Sequence, residues 1–243
     1  MSTSSILDTL QLYKDHIEAQ GYFVYAIMLK GSQNYNLSDS ESDIDANAIL
    51  LPTLSQIREN KPHKFTFPTG EVTCHNIYSF AEIVAKGNPQ WSEVVHSKYS
   101  IGGSLEFFKK YSVNPSALKG MFMEKVHCFD KLYPSRAKYI EQYGYDGKQL
   151  HHLIRLYDLL LKDKIIYEYE GKERDHMMDI KRHRFPSTKE EAFKLRDEYV
   201  QKLELIYEEK KSAYIPIPID YEVLDKILLK HYATQLYTAI KLP

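Results

Sequence analysis

The chain has 243 residues, 43% of them hydrophobic and 27% charged, with only 10 Gly and 10 Pro. These values exclude a collagenous, low-complexity or disordered protein, and the length is enough to bury a core without disulfide or metal staples. Lys and Arg number 32 against 33 Asp and Glu, a net charge of -1, so a grip on any polyanion has to come from a local patch. Cys74 and Cys128 form neither a disulfide framework nor a CxxC zinc pattern, which fits a reducing compartment, and both read as small buried side chains. The longest apolar run, Tyr22 to Leu29, is far short of the roughly 20 residues of a spanning helix, and MSTSSILDTL lacks the features of a leader. The expectation is a cytoplasmic protein with no membrane contact.

In chain order, Ser5 and Asp8 suggest a capping box for a first helix carrying Leu7, Leu10, Tyr13 and Ile17, with Gly21 closing it. YFVYAIML reads as a buried strand, and Ile44 to Leu51 as a second that ends at Pro52. Residues 64 to 78 predict a hairpin turning at Pro68-Thr69-Gly70, and 79 to 96 predict helix broken at Gly87-Asn88-Pro89. Beyond Asn114 strand signals fade, and helices are predicted at 115 to 130, 134 to 142, 147 to 163, 188 to 212 and 220 to 240. The expected fold is α+β: a small mixed or antiparallel sheet flanked by helices in residues 1–113, then a helical domain in 114–243 packing against the cleft of the first. No internal repeat is visible.

The stretch that speaks of chemistry is GSQNYNLSDSESDID, residues 31 to 45. Gly31 and Ser32 follow a strand, and Asp43 and Asp45, two apart, project from one face of the next. Two adjacent carboxylates repel unless a hard cation sits between them, and magnesium takes oxygen ligands while keeping sites for phosphate. Gly31 lets the backbone approach a phosphate, and the Ser32 hydroxyl can donate to it. The plainer reading is an acidic surface loop. A calcium loop built on Asp39, Glu41 and Asp43 fails because Ile44 stands where an EF-hand requires Gly.

This pattern resembles the nucleotidyltransferase superfamily related to DNA polymerase beta, whose signature is Gly-Ser, a turn Gly and Asp-x-Asp. The 12 positions from Gly31 to Asp43 match the interval of its predicted phage and bacterial members. Asn36 stands where those members carry Gly, and Asn tolerates the left-handed conformation that such a turn needs. KGNPQWSEVVH (86 to 96), GYDGKQLHHLIRLYDLL (144 to 160) and MMDIKRHRFPSTKEEA are similar to further segments of that subgroup, so the resemblance spans roughly residues 22 to 205. It implies a third carboxylate on a neighbouring strand, for which Glu71 is the acidic residue on offer.

Read on a helical wheel, Lys148, His152 and Arg155 fall within about 60° of one another, opposite Leu150, Leu153, Ile154, Tyr157 and Leu161. A solvated basic face with His151 exposed beside it is the plain alternative. Read with the resemblance, these cations would face the Asp43 and Asp45 metal site and stabilise a leaving pyrophosphate. A second basic cluster, residues 181 to 184, could hold an acceptor's phosphates.

The resemblance thus implies an enzyme that moves a nucleoside monophosphate from an NTP to a hydroxyl acceptor. Catalytic and metal-holding roles fall to Asp43, Asp45 and Glu71, with two Mg2+ ions, or Mn2+ in their place; NTP contacts fall to Gly31, Ser32, Lys148, His152 and Arg155. The acceptor reads first as an RNA end, such as that of tRNA. The rivals are AMP transfer to a protein hydroxyl, as in antitoxin-like members, and a non-catalytic nucleotide- or RNA-binding protein that keeps the fold.

Overall fold

The computed structural model describes residues 3–40, 42–53, 56, 61–131, 134 and 136–241. Glu41, which entered the calcium-loop alternative, lies outside the described residues. Helix α1 (Thr3–Ala19) leads into β1 (Phe23–Lys30), a single 3-10 turn (Ser32–Tyr35) and β2 (Asp45–Leu51). A hairpin of β3 (His63–Phe67) and β4 (Gly70–Asn76) precedes α2 (Ile77–Ala85), α3 (Pro89–Val95), the short β5 (Ser100–Gly102) and α4 (Glu106–Lys109). The rest is helical: α5 (Pro115–Cys128), α6 (Ala137–Tyr143), α7 (Gly147–Lys162), α8 (Gly171–Lys181), α9 (Lys189–Ala213) and α10 (Tyr221–Lys241). The protein is therefore α+β, as its sequence predicts.

The five strands form one mixed sheet in the order β3-β4-β2-β1-β5. β2 runs antiparallel to β1 and parallel to β4, with Asn47 opposite Thr73. The central strands are buried on both faces, which is why YFVYAIML shows no alternation. One face carries α1, where Leu10, Tyr13 and Ile17 pack on Ile27, Leu29, Ala48 and Val72. The other carries α2, α3 and α4, where Phe80, Val84, Val95 and Phe108 pack on Met28, Ile49 and Leu51.

Capping side chains set several helix boundaries. Asn76, Asn88 and Asn114 accept from the first-turn N–H groups of α2, α3 and α5, and Pro89 and Pro115 follow two of them at the position where a missing N–H costs nothing. Thr188 and Glu191 form a reciprocal capping box on α9. The box expected at Ser5 is not one: α1 starts at Thr3, so Ser5 lies inside the helix, where its carbonyl accepts from the Thr9 hydroxyl. Among the described residues three helices and strands were missed, β5, α4 and α8. Helix α6 begins later than expected, at Ala137, and part of the segment before it lies outside the described residues.

Residue 114 divides strand-containing chain from helical chain, but packing crosses it twice. Leu224 and Leu228 of α10 return to the core on the α2 face of the sheet, and the Tyr78 hydroxyl donates to Asp225. In the other direction, Tyr35 and Leu37 leave the sheet and pack with Tyr145, Ile154, Tyr169 and Ile180 of the helical half. Cys74 is buried, with its thiol pushed up to about 12 by burial, whereas Cys128 is only partly covered. Among the described residues no helix is long and apolar enough to cross a membrane.

Candidate functional site

A cleft of about 570 Å3 opens where the end of β1, the following loop and the start of β2 face α6, α7 and α8. One wall is acidic and loop-built: Gly31, Ser32, Asp39, Ser42, Asp43 and Asp45. The opposite wall carries Arg136, Lys148, His151, His152, Lys181 and Arg182. Six of the eight residues singled out from sequence line it: Gly31, Ser32, Asp43, Asp45, Lys148 and His152.

The acidic wall is held by its own polar side chains. Gln33 Nε2 donates to the Asp43 carbonyl at 2.6 Å, Asn34 Nδ2 to the Leu29 carbonyl at 3.0 Å, and the Ser97 hydroxyl to Asn34 Oδ1 at 2.7 Å. The Ser42 hydroxyl donates to Asp39 Oδ1 at 2.8 Å and lies 3.5 Å from Ser32 Oγ. Asn36 adopts φ 58° and ψ 30°, the left-handed conformation anticipated for the residue replacing the turn glycine. Ile44 between the two aspartates is buried on the α1 side, so Asp43 and Asp45 share the opposite side. Gly70, at the hairpin, makes this possible, because a Cβ there would stand 2.3 Å from the Ile44 carbonyl oxygen.

The Asp45 carboxyl is pushed up from its ordinary value, first by burial and also by the charges of Glu71 and Asp43. The Glu71 N–H, donating to Asp45 Oδ1 at 3.1 Å, and Lys30 oppose that shift. Two carboxylates crowded this way in an open cleft, with the Ser32 hydroxyl nearby, are a hard oxygen donor set. It fits magnesium, which is held by one or two carboxylates together with substrate phosphates. Among the described residues no group of three His, Cys, Asp or Glu side chains is gathered for a metal ion.

Two predicted site residues stand elsewhere. Glu71 neighbours Asp45 on the adjacent strand, but its carboxylate pairs with Lys64 of β3 at 2.6 Å, because the hairpin brings that cation alongside it. It does not line the cleft, and the expected third carboxylate stands in a surface ion pair of the hairpin while its charge still raises the Asp45 carboxyl. Arg155 shares the helix face of Lys148 but lies about 10 Å further along the axis, at 1.5 Å per residue. There it meets Glu93 at 2.8 Å, with side chains 11% and 8% exposed, and its guanidinium covers the Tyr35 ring at 3.9 Å. Arg155 therefore belongs to the support beneath the Gly-Ser loop rather than to the cleft. Leu161, expected on the apolar side, is 48% exposed, whereas Leu156, Leu159 and Leu160 are buried, so the covered face at this end of α7 is turned away from the one the wheel predicts.

The cationic wall contains residues that the sequence did not single out. Arg136 forms a two-pronged ion pair with Asp146, which also caps α7 by accepting from the Lys148 N–H. Lys181 and Arg182 share Asp39 at 3.5 and 3.6 Å, and Lys181 Nζ also donates to the Leu37 carbonyl. His183 stacks on Tyr139 and Tyr143, with ring centroids 4.9 and 4.4 Å apart, and its Nε2 accepts from the Gly147 N–H at 2.8 Å. So three of the four residues of the 181 to 184 cluster, all but Arg184, reach the cleft. His151 is buried, not exposed, and both its ring nitrogens lack hydrogen-bond partners among the described residues. Its place on the α7 wheel, between Lys148 and the apolar side, was the only sequence signal for it.

The chain matches no known family model, and no curated protein matches it in sequence. What the cleft can do has to be argued from its side chains.

Proposed function

We propose that the protein is a metal-dependent nucleotidyltransferase that moves a nucleoside monophosphate from an NTP to a hydroxyl acceptor and releases pyrophosphate. The observation that carries this reading is the convergence, in one cleft, of Gly31-Ser32, the Asp43 and Asp45 pair and the cations Lys148, Lys181 and Arg182. Asp43 and Asp45 would hold magnesium, which when bound neutralises phosphate charge and polarises the phosphorus under attack. The exposed Gly31 backbone and the Ser32 hydroxyl would receive phosphate oxygens. Lys148, which has no ion-pair partner among the described residues, would offset charge growing on the leaving pyrophosphate. An RNA end is the acceptor the reading favours; a protein hydroxyl is separated from it by RNase or protease treatment of the labelled product.

The position of Glu71 outside the cleft lining favours a second reading, a nucleotide-binding protein that does not turn over. Labelled NTP incubated with magnesium and cell extract tests both. Label transfer by the wild type that disappears in Asp43→Ala/Asp45→Ala supports the enzyme. Equal transfer by the two proteins ends the catalytic reading, and NTP binding without pyrophosphate release supports the second.

A further inference from the structure

His151 presents a problem that the empty cleft does not solve. Its ring is 3% exposed, yet neither nitrogen has a hydrogen-bond partner among the described residues. Leaving a buried polar group unsatisfied is costly, and such groups are rare enough in folded proteins to require a reason. It lines the cleft between Lys148 on its own helix and Lys181 on α8. The charged and titratable groups around it are mainly cationic: Lys148, His152 and Arg155 from α7, and Lys181 from α8. The nearest anions are engaged elsewhere, Glu93 with Arg155 and Asp39 with Lys181, Arg182 and Ser42.

We infer that Lys148, His151 and Lys181 form a subsite for a phosphate group, with a ring N–H of His151 donating to a phosphate oxygen. The inference rests on the cleft being a polyphosphate site, and it adds a residue and a proton to it. A ring surrounded by cations is neutral when the cleft is empty; burial first, then Arg155, Lys181 and Lys148, hold its pKa well below the ordinary histidine value. An arriving phosphate dianion reverses that balance, so the ring takes a proton from solvent and becomes a charged donor. Binding at this subsite is therefore coupled to uptake of a proton and strengthens as pH falls. The phosphate has two possible sources, the tail of the nucleotide or the end of a nucleic-acid acceptor, and the same chemistry serves either.

The test is titration calorimetry from about pH 6 to about pH 8, the range in which an imidazole changes charge, in buffers of different ionisation enthalpy. The probes are inorganic tripolyphosphate and a short oligoribonucleotide with either a 5′-phosphate or a 5′-hydroxyl end. At least one phosphate probe should bind more tightly as pH falls, with buffer-dependent proton uptake. His151→Gln should weaken it roughly ten- to hundredfold, the worth of a hydrogen bond to a charged group, and flatten the pH profile. Tripolyphosphate binding assigns the subsite to the nucleotide tail, and preference for the 5′-phosphate oligonucleotide alone assigns it to the acceptor. His151→Leu should lose binding while its Tm stays level or rises, because an unsatisfied polar group has been removed. Lys148→Gln, on the surface, should weaken binding without touching the fold. The inference is overturned if neither phosphate probe binds, if His151→Gln binds with unchanged affinity and pH profile, or if His151→Leu is destabilised yet still binds. Label transfer from NTP with normal phosphate binding by His151→Gln would sink the subsite and spare the transferase; His151-dependent binding without transfer would do the reverse.

Discussion

On the acidic wall of the cleft, Gly31, Ser32, Asp43 and Asp45 come from one stretch of chain, and their places follow from two strand ends and a turn. On the cationic wall, Lys148 and His151 share α7 and Lys181 and Arg182 are neighbours at the end of α8, but nothing local relates these two pairs to each other or to Arg136, which precedes α6. The acidic wall also stores repulsion, with Asp45 crowded by Asp43 and Glu71, whereas several cations opposite are already paired with Asp146 or Asp39. The difference is one of charge: carboxylates crowded together on one side, and on the other a wall whose unpaired charge is confined to a few side chains.

The largest expected effect is on the acidic wall. Asp43→Ala or Asp45→Ala should lower label transfer by roughly 10²–10³-fold or more, the scale of losing one pre-organised electrostatic group, with NTP binding measured alongside. Asp45→Asn should do the same to activity while stabilising the empty protein. A carboxyl whose folded-state pKa is raised loses stability as pH rises from its unfolded value through its folded one, and Asn removes that loss. Urea melts of wild type and Asp45→Asn at mildly acid and neutral pH check the sign; a gap that narrows with rising pH would refute it.

Next comes the support of the loop. Arg155→Ala leaves the Glu93 carboxylate buried without its partner, and a cost of about 3–5 kcal/mol is expected in denaturant unfolding. Arg155→Met with Glu93→Leu should recover most of that loss, because an apolar pair of similar volume avoids the desolvation of both charges. If the double variant is as unstable as the single, the pair contributes more than mutual neutralisation.

Smaller again is Gly70→Ala. Its methyl would press on the Ile44 backbone between the two aspartates, and relief of such a clash should cost about 1–3 kcal/mol together with a drop in turnover. A stable variant with full activity would show that the hairpin does not position the pair. The smallest effect belongs to the cationic wall. Burial lowers the pKa of both His151 and His152, so their contribution to folding stability should be flat above the unfolded histidine value, near 6.5, and decline as pH falls below it. His151→Leu should shrink that decline, as read by thermal melts over the same range.

The two walls were also unequally legible. Gly31, Ser32, Asp43 and Asp45 could be read because strand, turn and spacing are local, and Asn36 fits its turn for a reason visible in one residue. The helical elements were read nearly to their ends because Asn, Asp and Thr caps and Pro residues mark them. Helix α8 escaped because GKERDHMMDIK is mostly polar and buries only Met177, Met178 and Ile180. Strand β5 escaped because three residues pairing with the edge of β1 leave no periodicity. The wheel for α7 gave direction but not height: Arg155 points as Lys148 does yet sits two turns away, beside Glu93. The isolation of His151 has no local signature, since it depends on what distant segments bring, whereas the Lys64 partner of Glu71 follows from the register of the hairpin itself.

The return of α10 to the sheet bears on how the protein is made. Leu224 and Leu228 complete the core beside Phe80, Val84 and Tyr111, and the Tyr232 hydroxyl donates to the Pro52 carbonyl. During synthesis, the sheet, α2 and α3 emerge long before these residues exist, so an apolar patch on the nascent chain stays uncovered while the whole helical half is translated. A chain ending near residue 213 would carry every residue of both cleft walls with its core unfinished. Chaperone demand should therefore peak late in translation and fall once α10 docks.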